Sequence, residues 1–452
     1  MEPKGNRMFL GLCVFAACAG MIAAGLIYKH KLYAMAASKT VTDWLESVPI
    51  PRHLVRPLSQ NASDFESGNM GEIERSGNQI VLNLRSDNDE TWPPYWRQWW
   101  YARLDDLDIG KTYTMTLRGR GHWNLYLPVY SYDGKTWRPF KREEVSQPSR
   151  LTLQFKKSFA KEQVWIARYV PYTYTKLLDY LDRLPKGAHI KRYSIGRTEQ
   201  DRRIPALRIG KKEAKEQVFI HARTHPGEVA SSFLLEGLID EFVANSKRAR
   251  AALKKIQLTI VPMLNVDGVV IGNNRVSPRN INLEGKWNPH PEDETRLSGE
   301  GVPREVRLLN RAYRRALRRG PAPTMALNLH SSNGQPGDRT FFFPHFGSRK
   351  LGYTTNEANL WNKQIGFVNM WKFEQGTSWF NRLPREGGRD FIKKDVPESW
   401  WWRNYKDQVM ALSIESTYGE AGDGREWTRP DDLRAMGGSL ARTIMRYHGV
   451  SP

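Results

Sequence analysis

The chain predicts an α/β fold in which a mixed sheet is flanked by helices, preceded by a small antiparallel β-sandwich and an N-terminal transmembrane segment. Three observations carry this. The chain has 452 residues and 40% hydrophobic content, whereas single cores stop growing near roughly 250–300 residues, so two domains are expected. Apolar residues recur every second position from about Ile80, as half-buried strands require. Beyond Pro171 short apolar runs alternate with helix-like segments, the pattern of an α/β sheet.

Met8 to Tyr28 carries no charge and is bracketed by Lys4, Arg7, Lys29 and Lys31. It is long enough to span a bilayer, for which roughly 20 apolar residues suffice. Ala34-Met35-Ala36 has the pattern of a signal peptidase site, and Phe15-Ala16-Ala17-Cys18 is an imperfect lipoprotein-type sequence. An uncleaved anchor is favoured, because the apolar run continues past Cys18 and charge intervenes before Ala34. Positive residues at both ends leave orientation open; an extracytoplasmic domain on a single-pass tether is expected. Cys13 and Cys18 both lie in this run, so the folded part has no cysteine chemistry. Residues 1–35 are then an anchor or signal sequence, 36–77 a polar, Pro-containing stalk with a short helix at Val41–Val48, 78–168 the sandwich and 169–452 the α/β domain.

In the sandwich, the alternating sets are Ile80, Leu82, Leu84; Tyr113, Met115, Leu117; Trp123, Leu125, Leu127; and Leu151, Leu153, Phe155. Asp133-Gly134 marks a hairpin turn. Trp92, Tyr95, Trp96, Trp99, Trp100 and Tyr101 are expected to fill this core and its contact with the next domain. In the α/β domain, Gln217–His221, Gln257–Met263, Met325–His330 and Met410–Glu415 read as buried strands. Leu177–Leu184, Glu228–Val243, Arg304–Arg319 and Leu433–Tyr447 read as helices, the arginines of Arg304–Arg319 forming a solvated face. Trp400-Trp401-Trp402 is a buried cluster, and Asn265-Val266-Asp267-Gly268 the turn after its strand.

The net charge is +21, from 69 Lys and Arg against 48 Asp and Glu, enough to attract anionic partners. No helix-turn-helix, zinc-finger or RNA-binding signature gives those charges an address, so nucleic acid is not expected. Anionic lipid, acidic envelope polymer and acidic peptide account for the balance equally well.

Ligands gather at strand C-terminal ends in α/β sheets, and the chemistry-bearing residues stand there. His225-Pro226-Gly227-Glu228 follows Val218-Phe219-Ile220; an imidazole and a carboxylate three residues apart, at a break in regular structure, can close on one metal ion. His221 offers a rival register with Thr224, but a threonine hydroxyl is a poor zinc ligand, so His221 packs at the strand end. His330, ending Met325-Ala326-Leu327-Asn328-Leu329, supplies the third ligand of a one-zinc site whose fourth position stays open for water. Glu415 ends Met410–Ile414, where a carboxylate is costly unless used. It is placed to act as a general base.

Together these segments resemble the zinc carboxypeptidases, within them the cytosolic-carboxypeptidase-like branch, over roughly Trp92 to Tyr447. The resemblance is carried by Arg168–Tyr174, Ala222–Glu228, Pro262–Val269, Gly272-Asn273-Asn274-Arg275, Asn328-Leu329-His330 and Ser413-Ile414-Glu415. It implies a carboxypeptidase-like fold, zinc on His225, Glu228 and His330, Glu415 as base and proton shuttle, and Arg275 polarising the scissile carbonyl. The family grips the substrate carboxylate with an Asn and an Arg before a Trp. Here Asn282 matches the Asn and Leu283 takes the Arg position, or a gapless register from Ser277 places Glu284 and Gly285 there; either way the bidentate clamp is absent. Arg279, Lys286 and Arg403 are possible substitutes. The expected activity is a zinc metallocarboxypeptidase acting on peptides, acidic ones among them. The rivals are an envelope amidase or endopeptidase needing no free carboxylate, and a zinc-retaining binding module without turnover.

Overall fold

The computed structural model describes residues 63–450 apart from 94–95, 120–125, 150, 188, 212, 291, 298–300, 332–338, 420 and 426. The candidate anchor, both cysteines, the expected Val41–Val48 helix, Tyr95 and the Trp123–Leu125 part of one expected strand lie outside them. Among the described residues no helix is long and apolar enough to cross a membrane.

Two sheets enclose the first core. One contains β1 (Ile73–Ser76), β2 (Gln79–Asn83), β4 (Thr112–Arg118), β7 (Val145–Ser149) and β8 (Thr152–Ser158); the other contains β3 (Tyr101–Leu104), β5 (Val129–Ser131), β6 (Arg138–Pro139) and β9 (Val164–Ala167). Alternation puts Ile80, Leu82, Tyr113, Met115, Leu117, Leu153 and Phe155 inward, against Leu104, Val164 and Ile166 of the facing sheet and Trp100 just before β3. Gly134 (φ 67°) and the Asp133 side chain, which accepts from the backbone N–H groups of Lys135 and Thr136, make the turn between β5 and β6. Two expectations need correction. Ile73–Ser76 is a strand, although it lies in the stretch expected as stalk. The sandwich is also not wholly antiparallel, because β2 and β4 pair in parallel. The chain visits the other sheet as β3 between them, which lets β4 return in the same direction.

The third sheet has seven strands, β10 (Ile190–Arg197), β11 (Arg203–Ile209), β12 (Glu216–Ala222), β13 (Ile256–Val261), β14 (Ala322–Ser331), β15 (Phe341–Phe343) and β16 (Met410–Ser416), in the order β10-β11-β13-β12-β14-β16-β15. The central four are parallel and almost wholly buried, hence their unbroken apolar runs. The edge strands are antiparallel. The helices are α1 (Tyr174–Arg183), α2 (Ala230–Val243), α3 (Lys247–Lys255), α4 (Val266–Ile271), α5 (Arg304–Arg319), α6 (Thr355–Gln375), α7 (Pro397–Tyr405) and α8 (Pro430–Tyr447). Helices α2 and α8 approach closely at Gly237 and Gly437, where a Cβ on either would run into a backbone carbonyl of the other helix. Phe219 of β12 packs on Tyr313 of α5 and Trp401 of α7, and Trp400 and Trp401 are buried as expected.

Candidate metal centre

Three adjacent parallel strands bring the site together. The loop carrying His225 and Glu228 leaves the end of β12, His330 is the penultimate residue of β14, and Glu415 of β16 is the register partner of His330. Parallel pairing makes these strand ends coincide, so residues about a hundred positions apart meet.

The loop after β12 is held from inside. Arg223 turns the chain with φ 57° in the left-handed region, which is strained for a side-chain-bearing residue. Its buried guanidinium donates to the carbonyls of Pro226 and Tyr172 and to Ser232 Oγ. Gly227 is required by packing, since a Cβ there would lie 2.9 Å from the Cβ of Trp99 in the sandwich domain. Thus the segment between His225 and Glu228 is clamped on both sides.

His225 Nδ1 stands 2.7 Å from Glu228 Oε1, and His330 Nδ1 2.8 Å from Glu228 Oε2. One ligand atom from each of His225, Glu228 and His330 lies within 4.8 Å of the others, and all three residues are buried. The far nitrogens are also addressed. His225 Nε2 is 3.1 Å from Asn282 Oδ1, and His330 Nε2 is 3.3 Å from Glu284 Oε2. Oxygen acceptors behind both Nε2 atoms favour the tautomer that frees each Nδ1 lone pair toward the shared point, as a metal needs. Two imidazoles and a carboxylate form a donor set suited to zinc, so these residues fit the ion.

The two imidazoles differ electrostatically. Burial lowers His225, and the nearby Arg275 charge adds to it, so one Glu228 interaction does not compensate. Burial also opposes the charge on His330, but Glu228 and Glu284 together outweigh it and raise His330 well above the ordinary range. Glu228 is pushed up by burial, yet its two imidazoles hold it well below the carboxylate range. Glu415 is raised to about 8 by burial first and then by Glu228, leaving it a group with high proton affinity beside the centre.

Arg275 Nη1 is 3.8 Å from Glu228 Oε1, and its guanidinium lies over the Trp96 ring at 5.7 Å. Its backbone is positioned by Asp87 of the sandwich domain, whose carboxylate accepts from the N–H groups of Asn274, Arg275 and Val276 at 2.7, 2.6 and 3.0 Å. Nothing in the sequence around Asp87 marks this role, because its partners lie nearly 190 residues away. Asn282, expected to touch substrate, stands behind His225 and also accepts from Glu284 N–H at 3.1 Å. Leu283 is fully buried, which removes it as a clamp.

The proposed substitutes are engaged elsewhere: Arg279 pairs with Glu199 at 3.0 Å, and Arg403 reaches the Trp287 carbonyl and Asp395. Lys286 is exposed. His221 packs as expected, buried with Nδ1 3.1 Å from the Tyr313 hydroxyl. Asn265-Val266-Asp267-Gly268, expected as a turn, opens helix α4 with Asn265 as its N-cap, and Asp267 holds Thr198, Gln200 and Arg202 at the turn between β10 and β11. Glu284, Asn328 and Glu398 form a hydrogen-bonded group beside His330. Only the placement of Glu284 and Asn328 inside quoted motifs marked them in the sequence, and Glu398 carried no signal.

Residues 177–314 match the zinc carboxypeptidase family, and residues 62–169 match the cytosolic carboxypeptidase N-terminal domain. Cytosolic carboxypeptidase 6 of Mus musculus is 30% identical over 264 residues, covering 52% of this chain and 47% of that protein. The Homo sapiens protein of the same name is 30% identical over 264 residues, covering 52% and 51%. The chain spans about half the length of these relatives. Two solved structures share the fold. A metallo-carboxypeptidase from Burkholderia cenocepacia has a TM-score of 0.68 at 22% identity, covering 85% of this chain and 97% of that one. Another from Pseudomonas aeruginosa has a TM-score of 0.68 at 22% identity, covering 86% and 98%. The expectation of a membrane-anchored, extracytoplasmic enzyme is overturned by the relatives, which are named cytosolic carboxypeptidases; the candidate anchor itself lies outside the described residues.

Proposed function

For a chain that carries a zinc carboxypeptidase domain behind a cytosolic carboxypeptidase N-terminal domain, we propose peptide hydrolysis at the β12, β14 and β16 strand ends. The observation that carries this is the convergence of His225 Nδ1 and His330 Nδ1 on the two oxygens of Glu228, with Glu415 as the register neighbour of His330. His225, Glu228 and His330 would hold one zinc ion, while Asn282 and Glu284 orient the two imidazoles from behind. Zinc supplies Lewis acidity toward a carbonyl and makes water more acidic. Glu415, buried and of high proton affinity, takes the proton from the attacking water and passes it to the leaving amine. Arg275, steadied by Asp87 and Trp96, donates to the developing oxyanion. The sandwich at 78–168 serves the catalytic domain at 169–452 by fixing that arginine.

A second reading has a specific observation in its favour. The segment Asn282–Gly285 offers no arginine for a terminal carboxylate, so an amidase or endopeptidase acting without a free C-terminus shares the same machinery. Zinc-loaded protein assayed on matched peptides with free and amidated C-termini separates the two. Preference for the free terminus supports the carboxypeptidase, equal cleavage supports the second reading, and no cleavage of either rejects hydrolysis.

A further inference from the structure

Outside the metal centre, α1, α2 and α8 enclose a cavity of about 380 Å³. Its shape follows from three local features. Helices α2 and α8 touch backbone to backbone at Gly237 and Gly437, which fixes the spacing of two of its walls. Leu184 is extended (φ −58°, ψ 143°) ahead of Pro185, so α1 stops there and the chain turns away. Arg192 donates to the carbonyls of Leu181 and Leu184 at 2.6 and 3.1 Å, so the carbonyls that end α1 are satisfied by a residue outside the cavity wall.

The walls carry both signs of charge, and the hydrogen bonds show which groups are already spent. Glu236, 4% exposed, accepts from the Tyr172 hydroxyl on one oxygen and from Arg434 Nε on the other, both at 2.8 Å. Arg434 also gives Nη1 to Asp431 at 2.7 Å. Asp240 differs: its Oδ1 accepts from the Tyr180 hydroxyl at 2.8 Å, while its Oδ2 has no hydrogen bond among the described residues. Arg183, the last residue of α1, holds no hydrogen bond or ion pair among them, although it is near enough for its charge to act on Asp240. One unspent cation and one half-used carboxylate therefore line the same space without pairing, beside the apolar Leu184, Pro185 and Val243.

Opposite charges held apart across one cavity are bridged by a ligand that carries both signs. A simple anion meets Asp240 and Glu236 there, and a simple cation meets Arg183 and Arg434, so neither is favoured. The volume lies in the small-molecule range of roughly 300–1,000 Å³. We propose that this cavity binds an aliphatic α-amino acid as its zwitterion, with the carboxylate on Arg183, the ammonium on Asp240 and the side chain against Leu184, Pro185 and Val243. Such binding is independent of peptide hydrolysis at the metal centre.

Calorimetric titration of the zinc-loaded full chain with L-leucine, N-acetyl-L-leucine and L-leucinamide reads the site without turnover. Leucine binds, and blocking either charge of the ligand weakens binding at least about tenfold. Arg183→Gln and Asp240→Asn each cost leucine a similar factor while zinc content stays at the parent level, since neither residue belongs to the metal cluster. Both positions are exposed, so the variants keep the fold, and the asparagine still accepts from Tyr180. Charge recognition is separated from general damage by the blocked ligands: Asp240→Asn leaves N-acetyl-L-leucine binding unchanged, and Arg183→Gln leaves L-leucinamide binding unchanged. Absence of leucine binding overturns the site. Leucine affinity that both variants leave unchanged also overturns it and places the amino acid at the metal centre instead.

Discussion

At Glu415, burial and the Glu228 carboxylate both resist ionisation and carry the group up to about 8, while the neighbouring imidazole and Arg275 pull the other way. A glutamine of the same shape keeps the packing and the three proposed ligands but cannot shuttle a proton. Glu415→Gln is therefore expected to retain full zinc by metal analysis while turnover falls by roughly 10²–10⁴-fold. Asn282 acts at the other end of the site, through the 3.1 Å contact from its Oδ1 to His225 Nε2. Asn282→Ala removes the acceptor that sets the His225 tautomer, so zinc affinity measured by chelator competition should drop about 10–100-fold. Unchanged affinity would return Asn282 to the substrate side. The types and positions of His225, Glu228, His330 and Glu415 were legible in the chain because strand ends are marked by where apolar runs stop. The contact of Asn282 with His225 was not, because which nitrogen it faces depends on how a loop 57 residues away folds back.

Among the elements, α5 shows how far patterning reaches. Its arginines at 304, 307, 311, 315, 318 and 319 are exposed, as a solvated face requires, and Val306, Leu309 and Tyr313 are buried. Glu305 breaks the pattern, because it is buried in the first turn and raised from 4.5 to about 7, chiefly by desolvation. Unfolded chain releases this proton near 4.5 and folded chain only near 7. The folded state therefore loses relative stability as pH climbs through that window: the penalty is absent below it and complete above it. Glu305→Gln should be more stable than the parent by about 3 kcal/mol near pH 8 and indistinguishable near pH 4, by urea denaturation at both pH values. Elements without clear periodicity escaped sequence reading. Strand β10 is a charged, half-exposed edge, and α6 carries Trp361, Ile365, Phe367, Val368 and Phe373 around most of its circumference, so neither shows the one-sided apolar pattern that marks an element.

At the scale of the whole molecule, the sandwich domain is joined to the catalytic chemistry through a few buried polar contacts. Asp87 gathers three consecutive backbone N–H groups around Arg275, Trp99 N–H donates to Asn274 Oδ1 at 3.0 Å, and Trp99 packs on Gly227. Asp87→Ala leaves those donors buried and unpaired and frees Arg275 to move, while His225, Glu228 and His330 keep their places. Zinc content should stay at the parent level while kcat/KM falls roughly 10–100-fold. A proportional loss of zinc would show that the sandwich supports the metal ligands instead.

The linear chain by itself marked the apolar central strands, the amphipathic helices beside them, the break at Pro226-Gly227, the residues proposed as ligands and base, and the absence of an arginine at Asn282–Gly285. Those features are local: they follow from hydrophobic period, from where apolar runs end and from residue type. Only the tertiary structure decided that Asp87 anchors Arg275, that Arg223 clamps the ligand loop and that Asn282 and Glu284 stand behind the imidazoles. It also brought Glu284 and Glu398 onto the same amide of Asn328. Each of these pairings joins segments far apart in sequence, and burial makes them energetically decisive. Desolvated polar groups must find partners wherever the fold delivers them, and periodicity carries no record of that address.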